Sequence, residues 1–143
     1  MRTYLIDKYH PQIIFNYGGE VEYQTCKMLY DKLNRDASIF LNVNAKTLKE
    51  LKVLISFCDF FFGNEGGPRH IAQALDVPSY AIYPPGILKR VWLPGNDERF
   101  QGISPSDLLT GKTDHMSREE QLNLLTVENV WSELDGMLAA YLN

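Results

Sequence analysis

No apolar run in this chain approaches the ~18–20 residues that a membrane-crossing helix requires, so no integral membrane segment is expected. The opening residues, with Arg2, Asp7 and Lys8 among them, are too short and too charged for a secretory signal. Positive charge is not in excess: 14 Lys and Arg stand against 18 Asp and Glu, a net charge of −4. A general nucleic-acid binder needs a basic surface, so nucleic acid is not expected as a partner, although a local basic pocket for one phosphate-bearing ligand is still allowed. Cysteine is scarce. Cys26 and Cys58 both fall in segments that read as helices, and nothing near them has metal-ligand spacing. They are expected to be reduced, mostly buried thiols of a cytoplasmic protein. His10 and His115 have no partners at metal spacing, and no Ser-His-Asp or Cys-His arrangement can be assembled. Neither a metal site nor a catalytic residue is therefore assigned. Internal repeats and low-complexity linkers are absent. What remains is 143 residues, 45% of them apolar, enough for one domain with its own core.

Short apolar segments alternate with helical patterns along the chain. Residues 12–17 read as a buried strand ended by Gly18-Gly19, and residues 20–33 as a helix with Val21, Met28, Leu29 and Leu33 near one face. Residues 38–43 form a second expected strand. Thr47 and Glu50 have the spacing of a capping box, ahead of a helix with Leu48, Leu51, Leu54, Ile55 and Cys58 along one stripe. A third strand is expected at 59–63, a helix at 68–75, and a fourth strand at 79–83, stopped by Pro84-Pro85-Gly86. Residues 87–100 read mostly as loop with a short strand near 100–104, and 107–118 as polar and irregular. Thr126 caps a last helix whose Val127, Val130, Trp131, Leu134, Leu138 and Tyr141 share a face. Alternation of this kind predicts an α/β fold: a Rossmann-like, mostly parallel sheet with flanking helices. Ligands of such sheets sit at the carboxyl ends of the strands, where four loops at 18–19, 44–47, 63–67 and 84–86 are expected to converge on one crevice.

The most informative of these loops is the run FFFGNEGGPRHIA at 60–72. An apolar strand enters a glycine turn, and the turn opens a helix at Pro68, a residue suited to the first helical position. Glycines let a ligand approach main-chain N–H groups, and a helix start carries unpaired donors and partial positive charge. His70 falls in the first turn, within reach of the same anion. On physical grounds the turn is a candidate phosphate or pyrophosphate site. The competing reading is a plain strand-to-helix connection. Glu65 either orients the turn by accepting main-chain bonds or touches the ligand. Arg69 is expected to face solvent, residues 60–62 to be core, and Lys89 and Arg90 to lie on the surface. Lys46 is either a solvated loop lysine or a nucleotide contact.

The run from Glu65 to Ala72, then Ala74-Leu75-Asp76-Val77-Pro78 and the strand Tyr80-Ala81-Ile82-Tyr83, resembles the C-terminal domain of family 9 glycosyltransferases, the heptosyltransferases of lipopolysaccharide core assembly. Lys46-Thr47-Leu48-Lys49-Glu50-Leu51 resembles that family's helix before the strand. The similarity covers residues 12 to about 86, with a weaker echo in the last helix. It implies one half of a two-domain GT-B architecture, in which this half holds an ADP-heptose-like nucleotide-sugar as donor substrate and no other cofactor. It further implies diphosphate contacts at Glu65, Gly66, Gly67 and His70, and nucleotide contacts at Gly18, Gly19, Lys46 and Thr47. Two departures stand out: Glu65 replaces the usual Asp, and Gly66 stands where a Thr or Ser hydroxyl is common. The family's acceptor domain, with its carboxylate base, and the first strand of the donor domain have no counterpart in this sequence. Residues 4–9 fit the end of the helix that follows that strand. The expected partners are therefore the nucleotide-sugar and either the N-terminal acceptor domain or a second copy of the chain, and the chain alone is expected to be inactive. The expected location is cytoplasmic, with peripheral membrane association allowed. The alternative is a non-catalytic nucleotide-binding or interaction module derived from the same fold.

Overall fold

A computed structural model describes residues 2–109 and 115–142. Two compact units, Met1–Leu54 and Ile55–Asn143, divide the chain.

The first unit opens with helix α1 (Arg2–Tyr9), in agreement with the helix expected at 4–9. Strands β1 (Ile13–Ile14) and β2 (Ile39–Phe40) pair in parallel, with Ile13 opposite Ile39 and Ile14 opposite Phe40. Flanking bonds from Ile13 N–H to the Ser38 carbonyl (2.7 Å) and from Phe15 N–H to the Phe40 carbonyl (3.1 Å) lengthen this ladder. Parallel neighbours need a crossover, which α2 (Glu20–Lys32) supplies. The helix forms where expected, but its face is different. Val21, Met28 and Leu29 are 82%, 50% and 44% exposed. The half-buried row is Tyr23, Cys26, Tyr30 and Leu33, whose spacing of three, four and three residues is a tighter helical stripe than the one read from the aliphatic residues. Helix α3 (Leu48–Ser56) crosses the boundary between the units: Leu51 and Leu54 are half-buried and Leu48 exposed in the first, while buried Ile55 already belongs to the second, as does Cys58. Cys26 and Cys58 are half-buried rather than mostly buried. Burial pushes both thiols up, and the carboxylates of Glu22 and Asp59 add to this.

The second unit is built on three parallel strands in the order β3 (Phe61–Asn64), β4 (Ser79–Ile82), β5 (Phe100–Ile103). Phe61 stands opposite Ser79 and Ser79 opposite Phe100. The single sheet expected from the strand pattern is thus two sheets, both wholly parallel. Residues 60–62, read as core, are only half-buried. Central β4 is the core strand: Ser79, Tyr80 and Ala81 are all buried. Gly102 is required at its place on β5. A Cβ there would run into the Ala81 carbonyl and the Tyr83 ring.

Helix α4 (Gly67–Ala74) crosses from β3 to β4. A one-turn helix, α5 (Lys89–Trp92), interrupts the expected loop, and a 3-10 turn (Pro105–Leu108) follows β5. Helix α6 (Arg118–Asn123) stands at the end of the stretch read as irregular; of that stretch, residues 110–114 lie outside the described residues. Thr126 caps α7 (Val127–Tyr141), accepting from Asn129 N–H at 3.2 Å, and Val130, Leu134, Met137 and Leu138 form its buried face. Tyr80 Oη donates to Glu133 Oε2 at 2.9 Å and joins α7 to the sheet. Burial, that bond and the Glu133 charge push the Tyr80 phenol well above its usual range. No described helix is long and apolar enough to cross a membrane.

Candidate functional site

The carboxyl end of β3 runs directly into the start of α4. Glu65 N–H still donates to the Ile82 carbonyl at 2.9 Å, so the ladder holds the chain to the last residue before the turn. Gly66 then takes φ 157° and ψ −172°, a region open essentially to glycine alone. The helix begins at Gly67, with Pro68 second, one residue earlier than expected. No side chain caps this end, so the first-turn donors that side chains satisfy elsewhere stand open. Gly67 is exposed, and a Cβ built on it meets nothing within 4 Å.

Around this end the side chains are tied together. Glu65 Oε1 lies 2.9 Å from His70 Nε2, with the Glu65 side chain 16% and the His70 side chain 40% exposed. The Glu65 carboxylate is thus paired with the imidazole of His70. Arg69, expected in solvent, is completely buried. Its Nη1 donates to Gln73 Oε1 at 2.5 Å; its Nη2 donates to the Trp92 carbonyl at 3.2 Å and lies 2.7 Å from His70 Nδ1 and 3.3 Å from Nε2. The correction has a local cause: Arg69 and Ala72, three residues apart, are the two buried positions of α4, so Arg69 is on the inner face. Trp92 completes the group, its ring edge-on to that of His70 with centroids 5.2 Å apart at 70°. At the carboxyl end of β4, Tyr83 is fully buried and its hydroxyl has no partner, as has Arg69 Nε. Burial pushes the Tyr83 phenol up, with Arg69 opposing and Glu65 adding.

Lys89 takes no part. Expected on the surface, it is half-buried, its ammonium held by the Gly102 carbonyl (2.9 Å) and Asp107 Oδ2 (2.7 Å), while Arg90 is exposed as expected. Among the described residues no group of His, Cys, Asp and Glu is placed to hold a metal ion.

The first unit has a cleft of its own, of about 500 Å³, lined by Tyr17, Gly18, Gly19, Glu20, Tyr23, Asn44, Ala45 and Lys46. Gly18, Gly19 and Lys46 thus come together as expected. Thr47 does not line it: its hydroxyl caps α3, accepting from Glu50 N–H at 3.2 Å, and the Glu50 carboxylate accepts from the N–H groups of Lys46 (2.7 Å) and Thr47 (3.2 Å). Sequence reasoning missed the aromatic wall. Tyr17 and Tyr23 have ring centroids 5.1 Å apart at 52°, and their signal was their position flanking Gly18-Gly19. Glu22 accepts a short hydrogen bond from Gly18 N–H, so an acidic side chain already occupies that helix start.

Residues 10–101 match the family model described as glycosyltransferase family 9 (heptosyltransferase). Two lipooligosaccharide heptosyltransferase 2 proteins, from Campylobacter jejuni serotypes O:6 and O:2, are each 34% identical to this chain over 77 residues. Those residues are 53% of this chain and 24% of each relative, so the match spans about a quarter of the curated relatives' length. No solved structure matches the chain.

Proposed function

Because the chain belongs to glycosyltransferase family 9, we propose that it is a donor-binding domain of an inverting glycosyltransferase, which takes an ADP-heptose-like nucleotide-sugar for the synthesis of lipopolysaccharide or another cell-surface glycan. The observation that carries this reading is the uncapped start of α4, with Gly66 in a conformation that favours glycine and His70 beside it. In the chemistry proposed, a carboxylate deprotonates an acceptor hydroxyl, the oxygen attacks the anomeric carbon, and the nucleoside diphosphate leaves with the bonding electrons. Negative charge grows on the leaving phosphate oxygens. The open N–H groups at Gly66 and Gly67 and the His70 N–H are the donors assigned to that charge. Glu65 is assigned to holding His70. The base is assigned to an acceptor domain or a second copy of the chain, and the chain alone is expected to release no ADP from the donor in the presence of acceptor. Such a domain would act in the cytoplasm, including at a membrane face. The cleft of the first unit is proposed, by itself, to take a nucleoside: Tyr17 and Tyr23 offer ring faces, Gly18 and Gly19 allow close approach, and Lys46 is exposed at the rim, with Thr47 supporting that loop as the α3 cap.

A second reading, a non-catalytic module of the same descent, is favoured by one observation: the His70 Nε2 position is already taken by the longer Glu65 carboxylate. Calorimetric titration with ADP, UDP, GDP and ADP-heptose, repeated on His70→Ala, separates the two. The donor reading expects selective binding of adenine nucleotides, weakened about tenfold by the substitution, the size of one hydrogen bond to a charged group. A folded chain that binds none of them sinks the donor reading in favour of the second.

A further inference from the structure

The polar cluster at the start of α4 has one large apolar neighbour left in water. Trp92 ends the one-turn helix α5 and is 47% exposed, with Leu88 and Val91 exposed nearby in the chain. Its backbone is nevertheless fastened. The Trp92 carbonyl accepts from Arg69 Nη2 at 3.2 Å, and Arg69 is fully buried, with Nη1 on Gln73 Oε1 at 2.5 Å. At the other end of the turn, Lys89 Nζ donates to the Gly102 carbonyl and to Asp107 Oδ2. The indole thus stands on an anchored turn beside His70, with ring centroids 5.2 Å and planes 70° apart. We propose that Trp92 is the sugar platform of the donor site: its open indole surface receives the ring of the sugar bonded to the phosphate that His70 and the start of α4 hold. The proposal rests on the donor-site reading above and adds to it the residue that meets the sugar.

The ligand's own chemistry sets what such a neighbour must be. In a nucleoside diphosphate sugar the anomeric carbon is bonded to an oxygen of the terminal phosphate. A phosphate anchored at His70 therefore brings the sugar ring next to it, and the indole is in contact with that imidazole. A sugar ring has two kinds of surface. Hydroxyls project around its rim, while the C–H groups of a ring face form a small apolar area with slight positive charge. The face of an aromatic ring is apolar and slightly negative, so the two surfaces match. The indole also carries an N–H donor for a rim hydroxyl. A T-shaped contact sets the edge of one ring on a face of the other, so His70 leaves the indole at least one face to offer. Anchoring of α5 strengthens the contact, because a platform already held in place loses little freedom when the sugar settles on it. A free diphosphate gains nothing from this surface, since the ring face repels its oxygens. Trp92 therefore distinguishes a nucleoside diphosphate sugar from the bare nucleoside diphosphate.

Calorimetric titration of the full chain with ADP and with ADP-heptose, on wild type, Trp92→Ala and Trp92→Phe, tests this. Trp92→Ala is expected to weaken ADP-heptose binding about five- to tenfold and to leave ADP affinity unchanged. Trp92→Phe keeps a ring face and is expected to retain most of the affinity for ADP-heptose. Unchanged ADP-heptose affinity in Trp92→Ala, or equal weakening of both ligands, overturns the platform and leaves the donor site standing. In the wild-type chain the indole N–H signal of Trp92, assigned in 15N NMR by its loss in Trp92→Phe, is expected to move further with ADP-heptose than with ADP. The same movement with both ligands overturns the platform without any alanine variant. A folded wild-type chain that binds neither ligand overturns the donor-site reading and the platform together.

Discussion

Gly66 is the residue on which the start of α4 depends. Its φ of 157° with ψ −172° strains a residue that carries a side chain, although a Cβ there would meet only Pro68 at 4.0 Å. Gly66→Ala is therefore expected to destabilise the fold by about 1–3 kcal/mol through backbone strain alone, read from urea unfolding, and to weaken ADP binding if the turn is the anion site. The neighbouring Gly67, without a positive φ and with open space around it, should accept alanine at much smaller cost. At this scale the sequence was informative where partners are close in the chain. Glu65 and His70, five residues apart across a glycine turn, could be suspected of serving one site. Arg69 could not be placed so easily, because its burial depends on the Trp92 carbonyl 23 residues away. Its one local signal was Ala72, three residues on, which marks the inner face of α4.

Among the elements, β5 and the turn after it offer two further checks. Gly102→Ala would set a methyl group against the Ala81 carbonyl and the Tyr83 ring. Overpacking between two paired strands is expected to cost about 1–3 kcal/mol, visible as a lower urea midpoint. Asp107 joins the 3-10 turn to α5 by accepting from Lys89 Nζ (2.7 Å), Ser104 N–H (2.6 Å) and Ser104 Oγ (2.7 Å). Burial works to raise this carboxyl, but the Lys89 and Ser104 bonds outweigh it and hold it below the ordinary carboxylate range. The folded form thus binds the proton less readily than the unfolded chain. Its stabilisation is present above the unfolded value of about 3.9 and is lost as pH falls through the folded value. The difference in urea midpoint between wild type and Asp107→Asn should be largest near neutrality and close on acidification; a constant difference would refute the linkage. Helix starts were legible where a cap and its partner stand three apart, as at Thr47 and Glu50. The same signal at Ser117 and Glu120, which fold into a capping box at α6, was passed over because the residues around it are polar. Of the expected face of α2 only Leu33 turns inward; the rest of the inward row, Tyr23, Cys26 and Tyr30, is aromatic and thiol, so an aliphatic pattern does not reveal it.

For the molecule as a whole, the two units differ in how much they bury. Among the described residues, Ile39 is the one apolar side chain of the first unit in the core, and the others belong to the second. Local opening should follow that difference. In hydrogen–deuterium exchange, amides of β1, β2 and α2 are expected to exchange before those of β4 and α7; equal protection in both units would show that they open together. The α/β class was readable because alternating strand and helix patterns are local. The division into two sheets was not, because a strand pattern does not say which strand lies beside it, and β1 and β2 pair with each other while β3 pairs with β4. The glycine turn has one more consequence, in the genetic code. Every residue that a single base change can put in place of Gly66 carries a Cβ, which these backbone angles disfavour. Serine, common at this place in the resembled family, is one such change away, so passage between the two residues asks the turn to relax toward angles that a side chain accepts.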